Sequence, residues 1–185
     1  MLEIEMKFAV ADFGPLTSRL RQWQAATAAP RREEDHYFNA PDRDFGKTDE
    51  ALRLRVVGGA NILTYKGPKH AGPTKTRTEI EVPLQDGEEA AQKCRELVTH
   101  LGYRPVAVVR KQRSTFHGER AGFPLNVTLD EVEEVGRFVE VEIVAGEDQR
   151  ESAQKVLQEL AGELGLVHSE RRSYLEMLLQ KRGLL

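Results

Sequence analysis

The strongest constraint on this chain is a charge alternation that repeats on strand after strand. In extended backbone, residues i and i+2 share a face. Glu3, Glu5 and Lys7 therefore project together, while Leu2, Ile4, Met6 and Phe8 project the other way. The same division recurs along the chain. Arg53 and Arg55 oppose Leu52, Leu54 and Val56, and Arg77, Glu79 and Glu81 oppose Ile80 and Val82. Lys111 and Arg113 follow Val109 at this spacing, and Glu140 and Glu142 oppose Val139, Val141 and Ile143. Lys66 ends the run Leu63-Thr64-Tyr65-Lys66, and Asp130 follows Val127-Thr128-Leu129.

Period-two patterning predicts eight strands, near Leu2–Val10, Glu33–Asn39, Ala51–Val57, Asn61–Lys66, Thr76–Leu84, Val106–Phe116, Phe123–Leu129 and Phe138–Ala145. Helical spacing marks four further stretches: about Phe13–Ala28, Gly87–His100, Asp148–Leu164, and Glu170–Lys181 behind a Ser169 cap. Gly58-Gly59 reads as a hairpin connection, and residues 66–76 as a loop that either connects strands or acts as a lid.

An ordinary open sheet with one wet face carries the same alternation. Two features favour another arrangement. The charged faces hold almost no Ser, Gln or Asn, and eight strands are enough to close around a lumen. The expected fold is α+β: a closed eight-stranded antiparallel barrel, with the apolar faces turned out against four helices and the charged faces lining the inside. Seven basic groups (Lys7, Arg53, Arg55, Lys66, Arg77, Lys111, Arg113) would then meet seven acidic ones (Glu3, Glu5, Glu79, Glu81, Asp130, Glu140, Glu142). Burying so many ions is costly unless they are paired, hydrated or liganded. Guanidinium and ammonium groups suit phosphate oxygens, and carboxylate clusters suit Mg²⁺ or Mn²⁺. A metal-bound triphosphate fits that lumen better than a lone phosphate.

The remaining composition excludes several classes. A net charge of −3, from 27 basic and 30 acidic residues, argues against a nucleic-acid binder. The lone Cys94 forbids an intrachain disulfide or a multi-thiolate metal site. No apolar run spans a membrane and no leader is recognisable, so a cytoplasmic address is expected. The 185 residues suit a single domain, 1–185. Gly46-Lys47-Thr48 lacks the first glycine of a P-loop, because position 41 is Pro. The triplets Asp12-Phe13-Gly14 and Asp44-Phe45-Gly46 lack a kinase catalytic loop. The five histidines show no metal-ligand spacing.

Glu3-Ile4-Glu5-Met6-Lys7 resembles the Glu-x-Glu-x-Lys signature of the CYTH domain, the core of the triphosphate tunnel metalloenzymes. The likeness continues in order through Asp35-His36-Tyr37-Phe38, Ala51–Arg55, Thr64–Pro68, Arg77–Glu81, Lys111-Gln112-Arg113, Leu129-Asp130-Glu131 and Phe138–Glu142. The ending Arg171-Arg172-Ser173-Tyr174-Leu175 resembles the bacterial class IV adenylyl cyclase branch.

The resemblance implies that Lys7, Arg53, Arg55, Lys66, Lys111 and Arg113 clamp phosphates; Arg77, placed in the same lumen by its spacing, joins them as a phosphate-binding candidate. It implies that Glu3, Glu5, Glu140 and Glu142 hold Mg²⁺ or Mn²⁺, with Asp130 and Glu81 in support. Lys66, Tyr37 and Glu5 are the catalytic candidates, the Tyr37–Lys66 pair matching one in thiamine triphosphatase relatives. That match leans toward hydrolysis of a small-molecule triphosphate, whereas the C-terminal match leans toward cyclisation of ATP. A polyphosphate- or nucleotide-binding module without turnover is a third reading. Relatives in this branch pair, so a homodimer is also expected.

Overall fold

The computed structural model describes residues 2–23, 26–70 and 74–185. In chain order the elements are β1 (Leu2–Ala9), α1 (Gly14–Gln22), β2 (Ala26–Thr27), β3 (Arg31–Asn39) and α2 (Phe45–Thr48). Then come β4 (Ala51–Val57), β5 (Ala60–Lys66), β6 (Lys75–Arg77), β7 (Glu79–Leu84) and α3 (Glu88–His100). The last are β8 (Arg104–Arg120), β9 (Phe123–Val132), β10 (Gly136–Ala145), α4 (Arg150–Leu164) and α5 (Tyr174–Lys181).

One antiparallel sheet runs β6-β1-β10-β9-β8-β3-β4-β5-β7, with β2 paired to β8 beside that path. The α+β class agrees with the sequence reading, but the closed eight-stranded ring does not. The hydrogen-bonded order is an open path whose two terminal strands, β6 and β7, are successive pieces of one extended segment interrupted at Thr78. The pattern gave one strand there because the polar–apolar alternation passes through Thr78 unbroken. The ladder partners change at that residue: Arg77 faces Glu3 of β1, and Glu79 faces Lys66 of β5.

The strands hold their register because each side chain has one acceptable face. Ile4 and Phe8 of β1, Val127 and Leu129 of β9, and Val139, Val141 and Ile143 of β10 share a core with Val156, Leu157 and Leu160 of α4 and Leu16 and Leu20 of α1. Truncating the fully buried Leu157 to Ala would cost about 2–5 kcal/mol. On the other side, Ala91, Cys94 and Val98 of α3 cover Phe38 and Leu54. Asn61 holds α3 in place by donating to the carbonyls of Gln85 and Gly87 at 2.9 and 2.8 Å. The β4–β5 turn needs positive φ at two successive positions, met by Gly58 (57°) and Gly59 (91°).

Three helix expectations change. α1 stops at Gln22 and Trp23 is 44% exposed, while Ala26–Thr27 pair with β8 instead of extending the helix. Gln24 and Ala25 of the expected helix, and residues 71–73 of the expected loop, lie outside the described residues. α5 begins at Tyr174 behind a Ser173 cap that forms a capping box with Glu176, whereas Ser169 pairs with Phe8 in an isolated bridge. Most consequentially, α5 does not join the outer layer. Tyr174, Met177 and Leu178 pack against Tyr37, Val109, Val132 and Phe138, which stand on the charged side of their strands.

Candidate functional site

The charged faces converge on a cavity of about 350 Å³. β1 contributes Glu3, Glu5 and Lys7, and β10 contributes Glu140 and Glu142. β4 contributes Arg53 and Arg55, β5 Lys66, β8 Lys111 and Arg113, and β6 and β7 contribute Arg77, Glu79 and Glu81. All of the site residues named from the sequence line this cavity except Asp130, which lies fully buried behind it.

Its basic side is held by buried carboxylates. Asp35 accepts two hydrogen bonds from Arg55, at 2.7 and 2.8 Å, and one from Lys111 at 3.2 Å. Arg53 stands 3.8 Å from the same carboxylate. Glu33 lies 3.3 Å from Arg55 and 3.2 Å from Lys111. Asp130 grips Arg113 with both oxygens, at 2.7 and 2.5 Å, and takes a 2.9 Å bond from the Tyr174 hydroxyl. Burial works to raise the Asp35 carboxyl, but Lys111, Arg55 and Arg53 outweigh it and hold it well below the usual range. Glu33 is held down to about 2 by the same contest, with Lys111, Arg55 and Arg113 prevailing.

The opposite side is rich in carboxylates. Glu5 and Glu142 are directly opposed across β1 and β10, and Lys7 opposes Glu140, with 3.8 Å between their charged groups. Burial drives the Glu3 carboxyl up to about 8; Lys66 pulls it down, while Glu79, Glu142 and Glu5 push it further up. Glu142 is raised by burial and by Glu5 and Glu140. The acids here repel one another, which is the condition a divalent cation relieves.

Among the described residues, no three acidic or imidazole side chains form a ready-made chelate. The oxygen donors nevertheless fit Mg²⁺ or Mn²⁺, hard ions that take one or two carboxylates and complete their shells with water and phosphate oxygens. Glu5 and Glu142, with Glu3 once it gives up its proton, are the oxygen donors that best fit such an ion. Three metal candidates are placed differently from the others. Asp130 spends its oxygens on Arg113 and Tyr174, and Glu140 accepts from Arg113 at 2.5 Å and lies 3.8 Å from Lys7. Glu81 sits at the rim, its side chain 53% exposed, accepting from Arg53 and Thr64.

Lys66 is bonded to Glu79 rather than to Tyr37. Burial lowers the Lys66 ammonium to about 8, and Arg53 adds to the fall. Burial and then Asp35 raise the Tyr37 phenol, so it remains a protonated donor. Arg53 Nε is buried and has no hydrogen-bond partner among the described residues, leaving a guanidinium donor at the cavity wall.

The sequence reading did not assign Glu33, Asp35 or Tyr174 to the site. Glu33 and Asp35 were detectable, because Arg31, Glu33, Asp35 and Tyr37 alternate on one face of β3. Tyr174 was not, since it arrives on a helix whose docking side no strand pattern encodes.

The apparent nucleotide and kinase motifs near residue 45 have a structural explanation. Asp44 caps the one-turn helix α2, accepting from the Gly46 amide at 3.1 Å.

A family model described as the CYTH domain matches residues 1–174. A Methanocaldococcus jannaschii protein, MJ0240, provisionally named an adenylate cyclase, is 34% identical over 180 residues, covering 96% of this chain and 98% of its own length. The solved structure of the PH1819 protein from Pyrococcus horikoshii has a TM-score of 0.85 at 40% identity, covering 97% of this chain and 99% of that one. HpAC1 from Hippeastrum, provisionally an adenylyl cyclase and described as having a dominant triphosphatase activity, shares the fold with a TM-score of 0.66 at 16% identity, covering 100% of this chain and 96% of that one.

Proposed function

Because the chain belongs to the CYTH domain family, we propose that its charged cavity binds a triphosphate with Mg²⁺ or Mn²⁺ and hydrolyses the terminal phosphoanhydride. The observation that carries this reading is the division of the cavity: anchored guanidinium and ammonium groups on one side, mutually repelling carboxylates on the other. A triphosphate alone would repel the acidic side, and a metal alone would leave the basic side without a counter-anion. A metal–triphosphate complex satisfies both. The reading takes the two sheet ends to act as one ring through Thr78, so that the guest is surrounded.

In this scheme Lys7, Arg53, Arg55, Lys66, Arg77, Lys111 and Arg113 hold the phosphate oxygens. Phosphoryl transfer needs positioning and charge neutralisation more than covalent help. The bidentate Asp35–Arg55 and Asp130–Arg113 pairs fix two guanidinium planes before substrate arrives, so little ordering remains to be done on binding. Glu3, Glu5, Glu140 and Glu142 hold the divalent ion, which when bound supplies charge to the bridging oxygens. Asp130 supports the site through Arg113, and Glu81 guards its rim.

Glu5 orients the attacking water and takes its proton. As the bond from the terminal phosphorus to the bridging oxygen breaks, Lys66 and Tyr37 donate hydrogen bonds to the departing diphosphate oxygens. The products are orthophosphate and diphosphate, or the corresponding organic diphosphate.

Hydrolysis is preferred because the cavity lining is almost wholly ionic or polar, with Val144, Tyr37 and Tyr174 as its exceptions. Such a surface recognises phosphates more than a nucleobase. The name of the Methanocaldococcus relative favours the second reading, in which the ribose hydroxyl of ATP attacks the α-phosphorus and releases diphosphate. The partner in either case is a small molecule, met in the cytoplasm. Among the described residues no helix is long and apolar enough to cross a membrane. Incubation with inorganic triphosphate, ATP and thiamine triphosphate under Mg²⁺ or Mn²⁺ tests the ranking. Orthophosphate release is expected; cyclic AMP as the main product would reverse it.

A further inference from the structure

Tyr174 opens α5 and is buried against the basic side of the cavity. Its hydroxyl donates to Asp130 at 2.9 Å, and that carboxylate holds Arg113 with both oxygens. The ring lies beneath two ammonium groups, Lys7 Nζ at 4.3 Å and Lys111 Nζ at 5.4 Å from its centroid. Phe138 braces it, with ring centroids 5.2 Å apart and planes inclined at 60°. The capping box of Ser173 and Glu176 fixes the helix start immediately before it.

We infer that Tyr174 is a positioning residue for the phosphate-binding cations, setting Arg113 through Asp130 and holding Lys7 and Lys111 on its ring face. This rests on the triphosphate reading and extends it to the C-terminal helix. Lys7, Lys111 and Arg113 are buried and already paired: Glu140 accepts from Arg113 at 2.5 Å and lies 3.8 Å from Lys7, and Lys111 is 3.2 Å from both Glu33 and Asp35. A further carboxylate would hold them more tightly but would then compete with phosphate for the same donors. The π face of a neutral phenol attracts cations without competing as a counter-ion. Burial, Glu140 and Asp130 keep this hydroxyl protonated, consistent with its role as a donor. α5 thereby supplies part of the binding wall as well as packing on Val109, Val132 and Phe138.

Calorimetric titration with inorganic triphosphate in EDTA isolates the cationic wall from any metal. Tyr174→Phe keeps the ring and loses the hydroxyl; binding about threefold weaker than wild type is expected. Tyr174→Leu and Tyr174→Met lose the ring; roughly thirtyfold weaker binding is expected. A second readout needs no substrate: the side-chain methylene protons of Lys7 and Lys111 should be ring-shielded in wild type and Tyr174→Phe, and return to ordinary positions in the Leu and Met variants. Folded Leu and Met variants that bind as wild type does would overturn the inference alone. Absence of triphosphate binding by wild type in EDTA, with binding once Mg²⁺ is added, would overturn the inference alone, because the cations would then not be set before the metal. Absence under both conditions would overturn it together with the proposed function. Should the Leu and Met variants fail to fold, unshielded lysine resonances in wild type refute the stacking, and shielded ones support it.

Discussion

Asp35→Asn is the most searching perturbation of the site, because it removes one charge and leaves the shape of the side chain intact. Asp35 is 1% exposed and is the shared counter-ion of Arg55, Lys111 and Arg53. Asparagine keeps one acceptor and offers an N–H₂ toward cations that already have donors to spare. Removing one partner from a buried ionic cluster costs about 3–5 kcal/mol. For a chain of this size about 2–4 °C of melting temperature is lost per kcal/mol, so a fall of about 6–20 °C is expected.

Thermal unfolding followed by circular dichroism measures this fall, with and without inorganic triphosphate. The ligand supplies the missing negative charge, so it should raise the melting temperature of the variant more than that of wild type. The pH dependence has a definite sign. Asp35 is held below its ordinary value, so its contribution is complete above about pH 4 and is lost as pH falls through the lowered value. The variant should therefore lose less stability than wild type in strong acid, and the gap between them should be constant near neutrality. A melting temperature within about 1 °C of wild type, or equal protection by triphosphate, would refute the claim that Asp35 neutralises these cations.

Two further outcomes follow from the carboxylate side and from α5. Glu3 is raised to about 8 and is mostly protonated at neutral pH, so Mn²⁺ binding through it should release about 0.9 proton at pH 7 and only about 0.1 at pH 9. Calorimetry in buffers of different ionisation enthalpy reads that proton; Glu3→Gln should abolish it and weaken Mn²⁺ about tenfold or more. Ser173→Ala removes the cap and one arm of the capping box, costing about 1 kcal/mol, and thermal melting should register the loss.

Much of the site could be read from the sequence because the strand period is rigid. Glu3, Glu5, Lys7, Arg53, Arg55, Lys111, Arg113, Glu140 and Glu142 all needed only i, i+2 alternation to be placed on one face. Glu33 and Asp35 obey the same rule, but β3 starts at Arg31, ahead of its clearest apolar positions, and the pattern there is dominated by charge. The inward turn of that face is confirmed by the burial of Lys7, Asp35 and Lys111, which alternation alone does not decide.

What the sequence determined by itself was the local side of each strand, since backbone sterics send successive side chains to opposite faces in any fold. Which cations share a carboxylate, and where α5 docks, were settled by the tertiary structure alone. The Asp130–Arg113–Tyr174 contact joins residues up to 61 positions apart, and Asp35 and Lys111 are separated by 76. Such pairings depend on strand order and helix packing, which no local period encodes. Tyr174 carries the lesson most plainly: its helix has one apolar stripe like any other, and only the space left beside Val109, Val132 and Phe138 turns that stripe toward the ions.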